Sequence, residues 1–252
     1  MSRPSRLKRA VTAVAMTAAM VAAAAVAPTV AHADSVHHYY IEIGGTGAAA
    51  SAPDCSITFG YANQHLDGGI PVPVCYPASA GPWLNGQNVP DLNAPSFDAS
   101  VKEGYERLLA AAEDTYRRDP GAKFTIVGYS QGAQAADHVL QKIANNETSI
   151  PREQVNGMLY ADPMQPGTGI WARTPKGLSA LGFTSTGAGP EKFPGVPVAR
   201  FCIRTDAVCD ATSLQSVGGF FAQHPAYPKE GGIMARTIGH DGDDGVFWYD
   251  AS

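Results

Sequence analysis

Positive charge is scarce in this chain: 18 Lys and Arg stand against 23 Asp and Glu, a formal net charge of −5. That balance argues against nucleic-acid binding, which needs basic side chains to neutralise phosphates. Internal repeats and coiled-coil heptads are absent, so solenoid and rod architectures are set aside. No stretch after the N-terminal run is apolar enough to cross a bilayer. Cysteine occurs four times, as Cys55, Cys75, Cys202 and Cys209. These spacings lack the paired two-residue gaps of common zinc sites, and no histidine lies nearby in register, so a metal is not expected.

The N-terminus fixes the expected compartment. Arg3, Arg6, Lys8 and Arg9 are followed by an alanine-rich apolar run, Val11 to Ala27, and then by Ala31-His32-Ala33. A basic start, a greasy middle and a small-x-small site form the pattern of a secretory signal peptide. A retained membrane anchor is the rival reading, but the run is short and dominated by alanine. Residues 1–33 are therefore expected to be removed. This takes away four positive charges and no negative one, so the formal net charge moves from −5 to −9. Residues 34–252 suit one domain with a full core. An even cysteine count in an exported chain suggests two disulfides, and proximity favours Cys55–Cys75 and Cys202–Cys209.

Strands and helices alternate after that point. Val36 to Ile43 reads as a strand ending in Gly44-Gly45-Thr46-Gly47, and Ile70 to Tyr76 as a second strand whose prolines push it to a sheet edge. Pro77 to Pro95 reads as irregular. Ser96 is a candidate N-cap for a helix with Val101, Tyr105, Leu108, Leu109, Ala112 and Tyr116 on one face, stopped by Asp119-Pro120-Gly121. Phe124 to Val127 is a short buried strand, and Ala133, Ala136, Val139, Leu140 and Ile143 mark the next helix. Gly157 to Ala161 and Val198 to Ile203 read as strands, and Pro163 to Pro197 as a long surface loop or lid. The order predicts an α/β fold: a three-layer α/β/α sandwich with a mostly parallel central sheet.

The chemistry-bearing motif is Gly128-Tyr129-Ser130-Gln131-Gly132, with a strand before it and a helix opening at Gln131. A serine hydroxyl becomes a nucleophile only where a sharp turn presents it beside a base and an anion site, and the strand–Gly-x-Ser-x-Gly–helix context supplies that turn. The Gln131 N–H, at a helix N-terminus, is a natural oxyanion donor. A base and its orienting acid are then sought downstream. His138 sits about two turns along the same helix and cannot fold back. His224 and His240 remain; His240 lies in a tail with Asp241, Asp243 and Asp244 that reads as solvated, so His224 is favoured. Asp206, inside the Cys202…Cys209 loop, is the favoured acid. Asp210 is the near rival, and Asp162 reads as a structural turn residue. Trp83, Leu84, Trp171, Phe220 and Phe221 could equally line an acyl groove or serve as ordinary cover.

Taken together, Gly128 to Ala133, Cys202…Asp206…Cys209 and His224-Pro225-Ala226-Tyr227 resemble the cutinase family. Ile43 to Gly47, Tyr76 to Ser79, Ser100 to Gly104 and Ala161-Asp162-Pro163 look closer still to the cutinase-like PE-PPE serine-hydrolase domain of actinobacteria. The resemblance implies a small, lid-poor α/β-hydrolase with esterase activity on acyl esters, with Ser130 as nucleophile, His224 as base and Asp206 as orienting acid. It also implies a second oxyanion donor from the loop after the first strand, at Thr46 or its neighbour. No cofactor is implied. The expected partner is an acyl ester or lipid, with transient contact to a lipid or polymer surface, and the expected state is a monomer, secreted or cell-wall associated. Two alternatives remain open: an acyltransferase using the same triad, and a non-catalytic cell-wall or host-binding protein on the same scaffold.

Overall fold

The computed structural model describes residues 36–48 and 54–250. The expected signal peptide, 1–33, lies outside the described residues.

Among the described residues, eight strands and four α-helices run in the order β1 His38–Ile43, β2 Ile70–Pro73, α1 Phe97–Arg118, β3 Lys123–Tyr129, α2 Gln131–Ala144, β4 Val155–Tyr160, β5 Ser179–Ala180, β6 Phe183–Thr184, β7 Val198–Ile203, α3 Gln215–Ala222, α4 Ile233–Thr237 and β8 Gly245–Tyr249. Six strands form one sheet in the order β2-β1-β3-β4-β7-β8. Every pairing within it is parallel. The alternation of side chains along each strand then decides which layer each residue serves. Ile41, Ile43, Phe124 and Ile126 pack against Leu108, Val139 and Leu140 of α1 and α2. Tyr40, Val127, Tyr129 and Phe201 face the other way, toward Ile233, Met234 and Ile238 in and just after α4. The result is the expected α/β/α sandwich, with one layer built of two long helices and the other of short helices and turns.

Local chemistry explains the element ends. Ser96 caps α1 by accepting the Ala99 N–H at 3.2 Å, and Asp119 ends the helix. The prolines of β2 sit at the sheet edge, where a missing N–H costs least.

Two expectations need correction. The acidic tail is not simply solvated. Asp241 accepts from the Tyr40 hydroxyl at 3.0 Å and from Asn156 Nδ2 at 3.3 Å, and Asp244 accepts the Val198 N–H at 3.2 Å. These anchors lead into β8, a sixth strand beside β7. Nor is Pro163 to Pro197 a free loop or lid. It carries the β5–β6 antiparallel pair, and Met164, Trp171, Phe193 and Val196 are buried. Trp171 Nε1 donates to Gln134 Oε1 of α2 at 2.8 Å, pinning the segment to the body. The segment before His224 forms α3.

Candidate active site

Strand β3 delivers Ser130 into the turn before α2. The strained residue of the elbow is the serine itself, at φ 57° and ψ −120°, a region that costs a non-glycine residue about 1–3 kcal/mol. The flanking glycines serve a different end, close approach. A Cβ on Gly128 would lie 2.7 Å from Ala133 Cα, and one on Gly132 would collide with the carbonyls of Ile43 and Gly44. Without them α2 could not seat on β1 and β3. The Ser130 N–H donates to the Tyr160 carbonyl at 2.9 Å, which ties the turn to β4.

The structure brings three of the expected residues into one chain of hydrogen bonds. Ser130 Oγ lies 2.8 Å from His224 Nε2, and His224 Nδ1 lies 2.9 Å from Asp206 Oδ2. A carboxylate can only accept, so the proton sits on Nδ1 and Nε2 is left to accept from the serine hydroxyl. Asp206 is wholly buried, and its other oxygen accepts the Val208 N–H at 3.1 Å. The bond between Cys202 and Cys209 closes the loop around it, and Cys55 is bonded to Cys75.

The rivals are occupied elsewhere. Asp210 accepts from the Thr205 N–H at 2.8 Å and from the Thr212 hydroxyl at 2.6 Å, bracing the acid loop. Asp162 accepts from Arg200 Nε at 3.0 Å and from the Met164 N–H at 2.9 Å. His240 is exposed. Asp162 is more than a turn residue: Arg200 Nη2 also reaches Asp137 Oδ2 at 2.9 Å, forming a buried cluster of one guanidinium and two carboxyls. Burial raises both carboxyls above their ordinary range, Asp162 to about 7, against the pull of Arg200.

The Gln131 side chain is spent on structure. Its Nε2 donates to the Ser79 carbonyl at 2.8 Å and its Oε1 accepts from the Ser100 hydroxyl at 3.1 Å. Its backbone N–H is among those at the start of α2 that have no partner within the helix. Thr46 lies in the turn after β1, half-buried at the rim of the cavity described next. The turn is close to the serine, since a Cβ on Gly45 would lie 3.0 Å from Ser130 Cβ.

Ser130 and His224 open into a cavity of about 930 Å³. Its walls include Trp83, Leu84, Ile170, Trp171, Phe220 and Phe221, so all five aromatic and aliphatic residues singled out in the sequence line it. Trp171 contributes to the core as well, while Trp83, Phe220 and Phe221 stay exposed at 41–75%.

Residues 69–212 match the PE-PPE domain family, more than half of the chain. The chain belongs to the PE-PPE domain family. The matched stretch contains Ser130 and Asp206 and ends before His224, so the histidine's position comes from the coordinates alone. The chain is also similar to the carboxylesterase Culp6 homolog of Corynebacterium glutamicum, 34% identical over 146 residues that cover 50% of this chain and 47% of that protein. It thus spans about half the length of the curated relative it matches. Among solved structures, the catalytic core domain of acetyl xylan esterase from Trichoderma reesei superposes with a TM-score of 0.52 at 19% identity, covering 81% of this chain and 97% of that one. A cutinase-like protein from Cryptococcus sp. aligns at 20% identity and TM-score 0.49 over 81% of this chain and 91% of that chain. The first of these shows that the chain shares the fold of that catalytic core domain.

Sequence reasoning missed the Arg200 cluster and the aromatic rings around His224. Period-2 reading of β7 marks Arg200 as an inward polar residue among apolar ones, a signal that a buried partner is needed. Nothing local to Phe220 indicates what its ring touches.

Proposed function

We propose that this PE-PPE domain is a secreted serine esterase that cleaves acyl esters through a covalent acyl-enzyme, with residues 1–33 as its signal peptide and 34–252 as a single catalytic domain. One observation carries the reading: the hydrogen-bond chain from Ser130 through His224 to Asp206, set at the mouth of a largely apolar cavity. His224 takes the Ser130 proton as Oγ attacks the ester carbonyl, and Asp206 holds the imidazolium that results. The Gln131 N–H and the turn at Thr46 receive the developing oxyanion. The imidazolium then returns its proton to the departing alcohol. Water, deprotonated by His224, releases the acid and restores the serine. The two disulfides accord with export to an oxidising compartment.

The cavity points to the acyl side of the substrate. Its volume lies at the upper end of the range for small-molecule sites, and each CH₂ buried there is worth about 0.8 kcal/mol, or roughly fourfold in kcat/KM. Initial rates on a p-nitrophenyl ester series should therefore climb from acetate through butyrate to octanoate by close to that factor per carbon before levelling. A series in which acetate is the best substrate would contradict the acyl assignment. No turnover anywhere in the series would contradict the esterase.

A further inference from the structure

His224 is held at its edges by Ser130 and Asp206, and those two hydrogen bonds leave the ring free to rock out of its plane. Two aromatic rings stack against it. Tyr129 stacks on it at a centroid distance of 5.1 Å and an interplanar angle of 23°, and Phe220 at 5.2 Å and 19°, both inside the range where ring pairs attract. The Tyr129 hydroxyl also donates to the His224 backbone carbonyl at 2.5 Å, so ring and main chain are gripped by one side chain. Tyr129 is buried and is the residue next to the nucleophile, which couples the base to the strand that carries Ser130. Phe220 stands on α3, where a Cβ on neighbouring Gly219 would collide with the Thr205 carbonyl. That close seat brings α3 down onto the residue preceding Asp206. One ring thus connects the base to the elbow and the other connects it to the acid loop.

We propose that Tyr129 and Phe220 are positioning residues that clamp the imidazole in the plane needed for proton transfer, an inference that rests on the serine-esterase reading. Phe220 is also 41% exposed and lines the cavity, so the rival role for it is plain groove lining. The two roles separate on a substrate too short to fill the groove. Misplacing a base by a fraction of an ångström lowers the rate of the chemical step, whereas lost lining weakens binding of long chains.

The test uses p-nitrophenyl acetate and octanoate with the wild type, Phe220→Leu, Phe220→Tyr and Tyr129→Phe, with thermal melts to check folding. Phe220→Leu keeps apolar bulk but loses the flat face. It should lower kcat on the acetate by about tenfold with KM nearly unchanged, and slow phosphonylation of Ser130 by a small fluorophosphonate by the same factor. Phe220→Tyr keeps the face and should restore kcat to within about twofold. Tyr129→Phe keeps stacking but frees the His224 carbonyl, and should give an intermediate kcat loss. Should Phe220→Leu retain wild-type kcat on acetate and lose only KM on octanoate, the clamp is overturned and the esterase stands. A wild type that hydrolyses neither ester overturns the esterase reading and the clamp with it.

Discussion

Ser130→Ala should lower kcat on p-nitrophenyl butyrate by about 10⁴- to 10⁶-fold while leaving a folded protein. The size follows from what the hydroxyl does. In the proposed mechanism it is the group of the chain Ser130–His224–Asp206 that forms the acyl bond, so its loss removes the two-step route. The fold should tolerate the change. Alanine inherits the same left-handed backbone at φ 57°, and the N–H that anchors the turn to Tyr160 is unchanged. His224→Ala should cost nearly as much, and the double variant little more than either alone, because members of one catalytic unit are not additive. Circular dichroism and the melting curve give the folding control. A variant that keeps more than a tenth of wild-type turnover would mean that the observed hydrolysis does not pass through this serine.

Glu42→Gln should stabilise the protein at alkaline pH by roughly 4–5 kcal/mol relative to wild type, the second large effect. Glu42 lies on β1, 1% exposed. One oxygen accepts from Asn63 Nδ2 at 3.0 Å, while Oε1 and Asn63 Oδ1 are both buried without a partner. A protonated Glu42 could satisfy both, its acid O–H donating to the amide oxygen. Burial pushes its carboxyl up from 4.5 to about 8, only partly offset by the Asn63 bond. With the folded value raised, the native state binds the extra proton and its contribution is complete below about pH 4.5. It declines as pH rises through 8, and it is gone above that. Asp137 and Asp162 move the same way, so wild type alone does not isolate Glu42; the difference between wild type and the Gln variant does. Denaturant midpoints measured from pH 5 to pH 9.5 should converge at the acid end and separate at the alkaline end. Parallel curves would show that Glu42 ionises in the folded protein at no unusual cost.

Most of the fold and most of the site were written in local sequence signals. The elbow, Gln131 and the alternating elements depend on neighbours within a few residues, so pattern and capping chemistry expose them. Chain order left three of seven histidines and the place of His138 on the nucleophile's own helix left two, while the disulfide-closed loop favoured Asp206 over Asp210 and Asp162; Asp206 and His224 are the pair the fold brings to Ser130. What stayed hidden depends on contacts remote in sequence. β8 was obscured by the acidic run before it, whose charges are in fact anchored by Tyr40, Asn156 and Val198, up to 201 positions away. The segment from Pro163 to Pro197 is rich in loop formers, yet one tryptophan bonded to Gln134 draws it into the core. Arg200 needed two aspartates from different elements. Phe220 meets His224 only because α3 forms, and its two glycines, Gly218 and Gly219, hide that helix from propensity.

The central claim, that Ser130 is an activated nucleophile, is tested most directly by treating the folded protein with a fluorophosphonate and locating the adduct by peptide mass spectrometry. One stoichiometric adduct on Ser130 is expected, formed with loss of esterase activity and abolished by prior unfolding. A protein that stays unlabelled, or one labelled at another residue with activity lost in step, would contradict it.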